Sequence, residues 1–386
     1  MTFLRSRGGF IGAAMLLALV LTACTGGPTE PSWGDISVLD NNLILAFSGT
    51  ILQLNPDDGT PINLYDTEGN VRTDPETNAP RRWEISLGAT MRFYHAPLVV
   101  SEETLLVASY DRKLFQIERD AARIENTVGV DLPGHVVADV LQANGLLYVP
   151  LSEKDLLALN EDDFSQRWRF TTTRGVWAAP LLLNGVLYLT SMDHFIYAID
   201  AESGEEIWRV DTGGAIPSAP LLYNNSLYVG TFGREIVQVS LNGRIIARYS
   251  TADWVWGTPV IANNILYTGD LVGNVYALEL TNAGFTELWR HQVTTRAIRP
   301  TPVVYEDRLI VASRDNFVYW LNRNTGDTIV RQDVRGEVMA EMLLLEPAEG
   351  LNITQPMLFV NTMARENLLF AFPADGNGEA LWKYPR

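Results

Sequence analysis

The chain has 386 residues with 46 acidic and 29 basic side chains, a formal net charge of −17. So acidic a body repels nucleic acid and anionic headgroups, which argues against nucleic-acid binding. A single cysteine rules out an internal disulfide.

Arg5 and Arg7 precede an apolar run from Phe10 to Val20, followed by Leu21-Thr22-Ala23-Cys24. The run is too short for a comfortable membrane span, and 1–23 reads as a secretory signal. LTAC resembles the lipobox of bacterial lipoproteins, in which Cys24 is lipidated and begins the mature chain. A lipid there anchors a protein to a membrane without spanning it. Thr25, where Asp would favour inner-membrane retention, favours the outer membrane in a two-membrane envelope. Residues 24–32 then form a short flexible tether. Cleavage before Cys24 removes Arg5 and Arg7 and no acid, taking the charge from −17 to −19.

From Trp33 onward one pattern repeats. Its clearest copy, 176–212, holds the runs APLLL, VLYLT, FIYAI and EIWRV, separated by turn residues such as Asn184-Gly185 and Ser203-Gly204. Period-2 alternation between such turns predicts an antiparallel four-stranded meander. Equivalent second-strand residues fall at Leu106, Leu147, Leu187, Leu227, Leu266 and Leu309, a step of about forty. Degenerate copies at 33–54 and from Val338 to the end bring the count to eight. A meander alone leaves a face unburied and edges open, and stacking copies in a closed ring solves both problems. The predicted fold is all-β: an eight-bladed β-propeller of four-stranded antiparallel blades spanning 33–386. Trp83, Trp168, Trp208, Trp289 and Trp382 mark fourth strands and are expected to pack blade on blade. Asn144-Gly145, Asn184-Gly185, Asn224-Asn225 and Asn263-Asn264 are expected to take the positive φ of tight hairpins.

Two irregularities interrupt the pattern. Residues 57–80 separate strands three and four of blade one and read as an unstructured excursion. Residues 346–356 separate strands one and two of blade eight. In a closed ring the two are expected to be adjacent, either as a lip for a partner or as decoration. Blade eight has four strands of its own, so closure should rest on side-chain packing between whole blades.

Sorting loops by face isolates one functional signal. Connections between blades and the turns joining strands two and three share a face. That face gathers Arg92, Arg174, Arg296, Arg299 and Arg335 from the connections, and Arg112, Arg234, Arg314 and Arg365 from the turns. Phe93, Tyr94, Trp177, Trp254 and Trp256 accompany them. Arginine with exposed aromatics is the composition of an interaction hot spot, and guanidinium groups suit carboxylates on a partner. The competing account is local: Asp111, Asp193, Asp270 and Asp315 neutralise the arginines, while Trp177, Trp254 and Trp256 plug the central channel.

No chemistry is evident elsewhere. His95, His135, His194 and His291 have no metal-like spacing, although the first three map to that face. The chain has no Gly-x-Ser-x-Gly elbow, no dinucleotide fingerprint and no phosphate loop. No cofactor or metal is expected.

The unit APLLLNGVLYLTSMDHFIYAIDAESGEEIW resembles the repeats of the pyrroloquinoline-quinone dehydrogenase superfamily, over nearly all of 33–386. That resemblance implies an eight-bladed propeller with an axial quinone and calcium site, built in those enzymes with a pair of adjacent cysteines that is missing here. An exported lipoprotein with eight such blades is similar to the BamB family. Membership there would imply a monomeric, non-catalytic scaffold for protein partners in outer-membrane protein assembly. The alternatives are a propeller that binds glycans or small molecules outside the cytoplasm and, with less behind it, a relative of the quinone enzymes.

Overall fold

A computed structural model describes residues 34–385 except 67, 89, 90, 102, 103 and 119–127; the signal segment, Cys24, the tether and Trp33 lie outside the described residues. Among the described residues, 32 strands form eight antiparallel sheets of four consecutive strands each. The blades span 36–86, 98–131, 141–171, 181–211, 221–250, 260–292, 303–333 and 343–384. Blade four, with strands Leu181–Leu183, Val186–Thr190, Phe195–Asp200 and Glu206–Asp211, follows the predicted runs. Each named hairpin turn has the expected backbone; Asn184 and Gly185, for example, sit at φ 50° and 79°.

Burial explains the ring. Middle strands are buried along their length, as in Val186–Thr190, whereas the outer strand Ile245–Ser250 alternates half-buried with exposed. Apolar cores lie between consecutive blades: Leu187 and Leu189 of blade four pack with Tyr148 and Leu156 of blade three. Eight such clusters follow one another around the ring, and blade eight packs on blade one through Phe359, Leu369 and Trp382 against Leu43, Leu45 and Leu54. Because each blade is covered on both sides, no sheet face needs another layer.

Tryptophans fasten blades three, four, six, seven and eight each to the next. The indole N–H of Trp168 donates to the carbonyl of Ala201 (3.2 Å), in the turn between strands three and four of blade four. Trp208 donates likewise to Leu241, Trp289 to Arg323 and, across the closure, Trp382 to Pro56. Glycine in the receiving turn admits the ring: Gly204 has φ +75°, and an added Cβ would stand 2.6 Å from the Trp168 indole. Blade seven makes the bond from another strand. Trp320, in its third strand, donates to Ala374 (2.9 Å) and is paired with Val330, whereas in blade four Ala198 faces Trp208. The large and small partners have exchanged strands, so a search for fourth-strand tryptophans passes over this one.

The excursion at 57–80 is ordered, contrary to the sequence reading. Its backbone folds back on itself: Leu64 N–H donates to Arg81, Arg72 to Leu64 and Trp83 to Ile62, with bridges Tyr65↔Val71 and Thr73↔Pro80. Asp66 and Asp74 cap its turns. These local bonds satisfy a polar backbone that composition alone marked as irregular. Ile62 and Leu64 pack into the core between blades one and two. Leu351 and Ile353 of the second insertion enter the core between blades eight and one. The insertions thus anchor on the two sides of blade one.

Candidate functional site: the arginine-aromatic face and the axial cavity

Backbone hydrogen bonds tie each connection to the turn that follows strand two of the same blade. Ser152 N–H donates to His135, Met192 to Gly175, Phe232 to Ala215 and Leu271 to Trp254, at 2.8–3.0 Å. Tyr110, Arg314 and Met363 make the same bond to Arg92, Ala297 and Glu337 in blades two, seven and eight. These loops therefore share one rigid face, as the sorting by loop class requires.

Several arginines of that face are paired, but mostly not with the acids expected. Arg92 does bind Asp111 (3.0 Å) and lies over the Tyr110 ring. Arg112 approaches Glu153 (3.9 Å), Arg234 approaches Asp253 (3.4 Å), and Arg314 and Arg296 share Glu337 at 2.8 and 3.7 Å. Asp193, Asp270 and Asp315 instead cap their own turns and accept from Tyr197, Tyr276 and Tyr319. A carboxylate two to four residues before the next strand reaches the nearest N–H groups sooner than a long side chain on another loop. Arg335 is exposed, and Arg365 reaches Ser48. Arg174 is exposed and forms no ion pair among the described residues.

The aromatic residues divide. Phe93 is fully buried in the core between blades one and two and does not reach the face. Tyr94 packs edge-on to Tyr110 (5.3 Å). Trp254 is 44% exposed and stacks on Phe232 (4.7 Å), which also contacts Trp256 (5.3 Å). Trp256 approaches Trp177 at 5.9 Å, and the guanidinium of Arg299 lies 3.6 Å from the Trp256 ring centroid. Arg299 has no ion pair among the described residues; its Nη1 contacts Met339 Sδ at 3.7 Å. Burial, with the like charge of Arg314, lowers its pKa to about 10.

Behind these residues lies an axial cavity of about 800 Å³ to which every blade contributes. Trp177, Trp256, Tyr94 and Tyr110 supply aromatic wall; Trp254 is not among the lining residues. The tryptophans thus wall the channel without filling it. Three carboxylates, Asp35, Asp139 and Glu341, also line the cavity. Each caps the backbone of the preceding blade. Glu341 accepts from Thr301 N–H (2.6 Å), Asp35 from Glu341 N–H (2.6 Å) and Asp139 from Ala96 N–H (3.2 Å). Glu341 borders open lumen yet is enclosed by the ring, and this burial pushes its pKa up to about 7 against the bonds from Thr301. Burial, then repulsion from Asp139 and Glu341, raises Asp35 well above the ordinary carboxylate range.

Motif reasoning missed these acids. They are visible only when the copies are aligned on the start of the first strand, where Asp35, Ala96, Asp139, Ala179, Ala219, Thr258, Thr301 and Glu341 correspond. The histidines of this face do not converge. His95 is in the cavity wall, His135 binds Glu153 and stacks on Tyr110, and His194 occupies a turn at φ 82°. Among the described residues, no group of three or more His, Cys, Asp or Glu is arranged to hold a metal ion.

A family model described as outer membrane protein assembly factor BamB, of the PQQ-like repeat class, matches residues 49–183, 166–282 and 273–386. No curated protein matches the chain significantly. Among solved structures, BamB from Moraxella catarrhalis superposes with a TM-score of 0.64 at 16% identity, covering 85% of this chain and 90% of that one. The computationally designed protein Ika8 superposes at 0.61 and 14% identity, covering 88% and 95%. At these identities both likenesses concern the fold. The cavity does not suit the quinone of the wider superfamily. Pyrroloquinoline quinone carries three carboxylates, whereas this lumen presents three of its own and one guanidinium, Arg299. One guanidinium beside three carboxyl groups leaves most of such a ligand's charge without a partner.

Proposed function

The chain belongs to the BamB family of PQQ-like propellers, and from that membership we propose that it is a non-catalytic scaffold, anchored by a lipid on Cys24, that holds protein partners in outer-membrane protein assembly. The observation that carries the reading is Arg299, a guanidinium stacked on Trp256 in the cavity wall with no ion pair among the described residues. A half-buried charge that Glu337 reaches only from beyond ion-pair distance carries a desolvation cost, and a carboxylate on a partner would offset it. Exposed Arg174 and Trp254 extend the same surface. Backbone bonds hold these loops in place, so little order needs to be gained on binding. The propeller acts as a monomer, with its lipid in the outer membrane.

The test is site-specific photocrosslinking in intact cells, with probes at Arg174 and Arg296 and a control probe at Asn242 on the opposite face. An envelope assembly component should crosslink from the first two positions only, and Cys24→Ala should reduce the yield. Equal capture from all three positions, or none, removes the scaffold reading. The aromatic-walled cavity favours a second reading, an extracytoplasmic binder of glycans or small molecules, for which ligand-induced quenching of Trp177 and Trp256 is the assay.

A further inference from the structure

The last residue of the turn between strands two and three takes a left-handed backbone in blades one, two and four to seven. Blades one and six place Gly49 and Gly273 there, at φ 80° and 90°, and blade seven places Asn316 at 74°. Glycine and asparagine adopt this conformation at little cost, whereas a Cβ bearing a long side chain crowds the adjoining carbonyl. Blades two and five nevertheless use Arg112 at φ 61° and Arg234 at φ 62°. The same exchange recurs in a connection. Asp211 and Asp333 each cap the N–H two residues on, which belongs to Gly213 (φ 84°) after blade four but to Arg335 (φ 53°) after blade seven.

The turns themselves need no arginine. Backbone bonds close them, Arg234 N–H to Thr231 (3.3 Å) just as Gly273 N–H to Asp270 (3.2 Å). The side chains of Arg112 and Arg234 are 52% and 61% exposed, with ion pairs of 3.9 and 3.4 Å. Arg112 also meets His135 at 3.4 Å, and exposed Arg335 has no ion pair among the described residues. Backbone strain that folding does not require marks a position kept for its side chain. We propose that Arg112, Arg234 and Arg335 hold the carboxylates of an acidic protein segment that lies across this face from blade two to blade seven. This role rests on the scaffold reading and adds to it the partner's chemistry and three residues that select it. Guanidinium forks grip carboxylates through paired hydrogen bonds. A chain of net charge −17 is repelled by an anionic membrane, which favours a protein over lipid phosphate.

The experiment places a photocrosslinking probe at Arg174 of the full chain in intact cells and compares the parent with two triple variants. One combines Arg112→Gly, Arg234→Gly and Arg335→Gly; the other changes the same three arginines to asparagine. Both replacements suit a left-handed backbone, so urea midpoints should be no lower than the parent's. Crosslink yield should nonetheless fall at least about tenfold in both, through the loss of charge-assisted hydrogen bonds, and the peptide captured by the parent should be rich in Asp and Glu. A parent that captures nothing removes the scaffold reading and this role with it. A parent crosslink that both variants retain overturns this role alone. Capture of a phospholipid in place of a peptide also overturns it, as does a loss confined to the glycine variant, which would reflect loop flexibility. Lower midpoints in both variants would assign the three arginines to the fold.

Discussion

The guanidinium of Arg299 sits 3.6 Å above the ring of Trp256 with no carboxylate in ion-pair contact among the described residues, although Glu337 of the next connection serves both Arg296 and Arg314 and acts on Arg299 from beyond that distance. The ring supplies quadrupole attraction, which offsets only part of the desolvation of a buried charge. Arg299→Met, of similar reach, should therefore change unfolding free energy by no more than about 1 kcal/mol, in either direction, yet abolish crosslinking to the partner. Chemical denaturation and photocrosslinking of the same variant check both halves.

Exposed arginine pairs make small contributions. Arg296 stands 3.7 Å from Glu337 with more than half its side-chain surface in solvent, and Arg174 has no ion pair among the described residues. Replacing Arg174, Arg296 and Arg299 together with serine should weaken partner retention by at least about tenfold while each exposed pair lost costs at most about 1 kcal/mol. Lower stability with full retention would assign these arginines to the fold.

Interblade docking is different. Trp320 is fully buried, and its N–H bond to Ala374 joins blade seven to blade eight. Trp320→Ala should cost roughly 3–5 kcal/mol. Gly204→Ala places a Cβ against Trp168 at a left-handed φ, so it should cost more than about 1 kcal/mol. Urea midpoints measure both.

Two buried tyrosines make a controlled comparison. Tyr276 donates to Asp270 (2.7 Å) and accepts from Ala252 N–H (2.8 Å), whereas the hydroxyl of Tyr267 has no hydrogen-bond partner among the described residues. Tyr276→Phe should destabilise by about 1–3 kcal/mol, and Tyr267→Phe should be neutral or stabilising. Equal losses would mean that the Tyr267 hydroxyl is satisfied in solution.

Glu341 sets a pH dependence. Its carboxyl keeps a proton up to about 7 in the fold, above its ordinary value of 4.5. The folded state therefore binds more protons, so this group's stabilisation is complete below about 4.5 and is lost as pH rises through about 7. Asp35, raised for the same reason, acts with the same sign. Glu341→Gln cannot ionise. Its melting temperature relative to the parent should be higher at pH 8 than at pH 4.

The blade count, the hairpin turns and the loop classes that share a face were legible in the chain, because each depends on neighbours in sequence. Period-2 alternation selects strands, Asn184-Gly185 needs positive φ, and a repeat near forty residues cannot bury its faces without stacking. Other features turned on which of several possible partners a group reaches in the folded chain. Trp320 replaces a fourth-strand tryptophan because Val330 opposite it leaves room for the ring. Asp193, Asp270 and Asp315 went to their own turns, since short side chains bond locally before they bond across loops. Phe93 turned into the core. The composition of 57–80 hid a folded backbone whose hydrogen bonds satisfy it.

Local sequence determined what each blade is, because strand pairing and turn geometry are decided within about forty residues. Only the closed ring decided what the blades hold between them. Asp35, Asp139 and Glu341 are separated by most of the chain and form one acidic lumen because ring closure brings equivalent residues to a common axis. Arg299 has no ion pair among the described residues for a related reason: the acid that the next connection brings near it, Glu337, is held by Arg296 and Arg314.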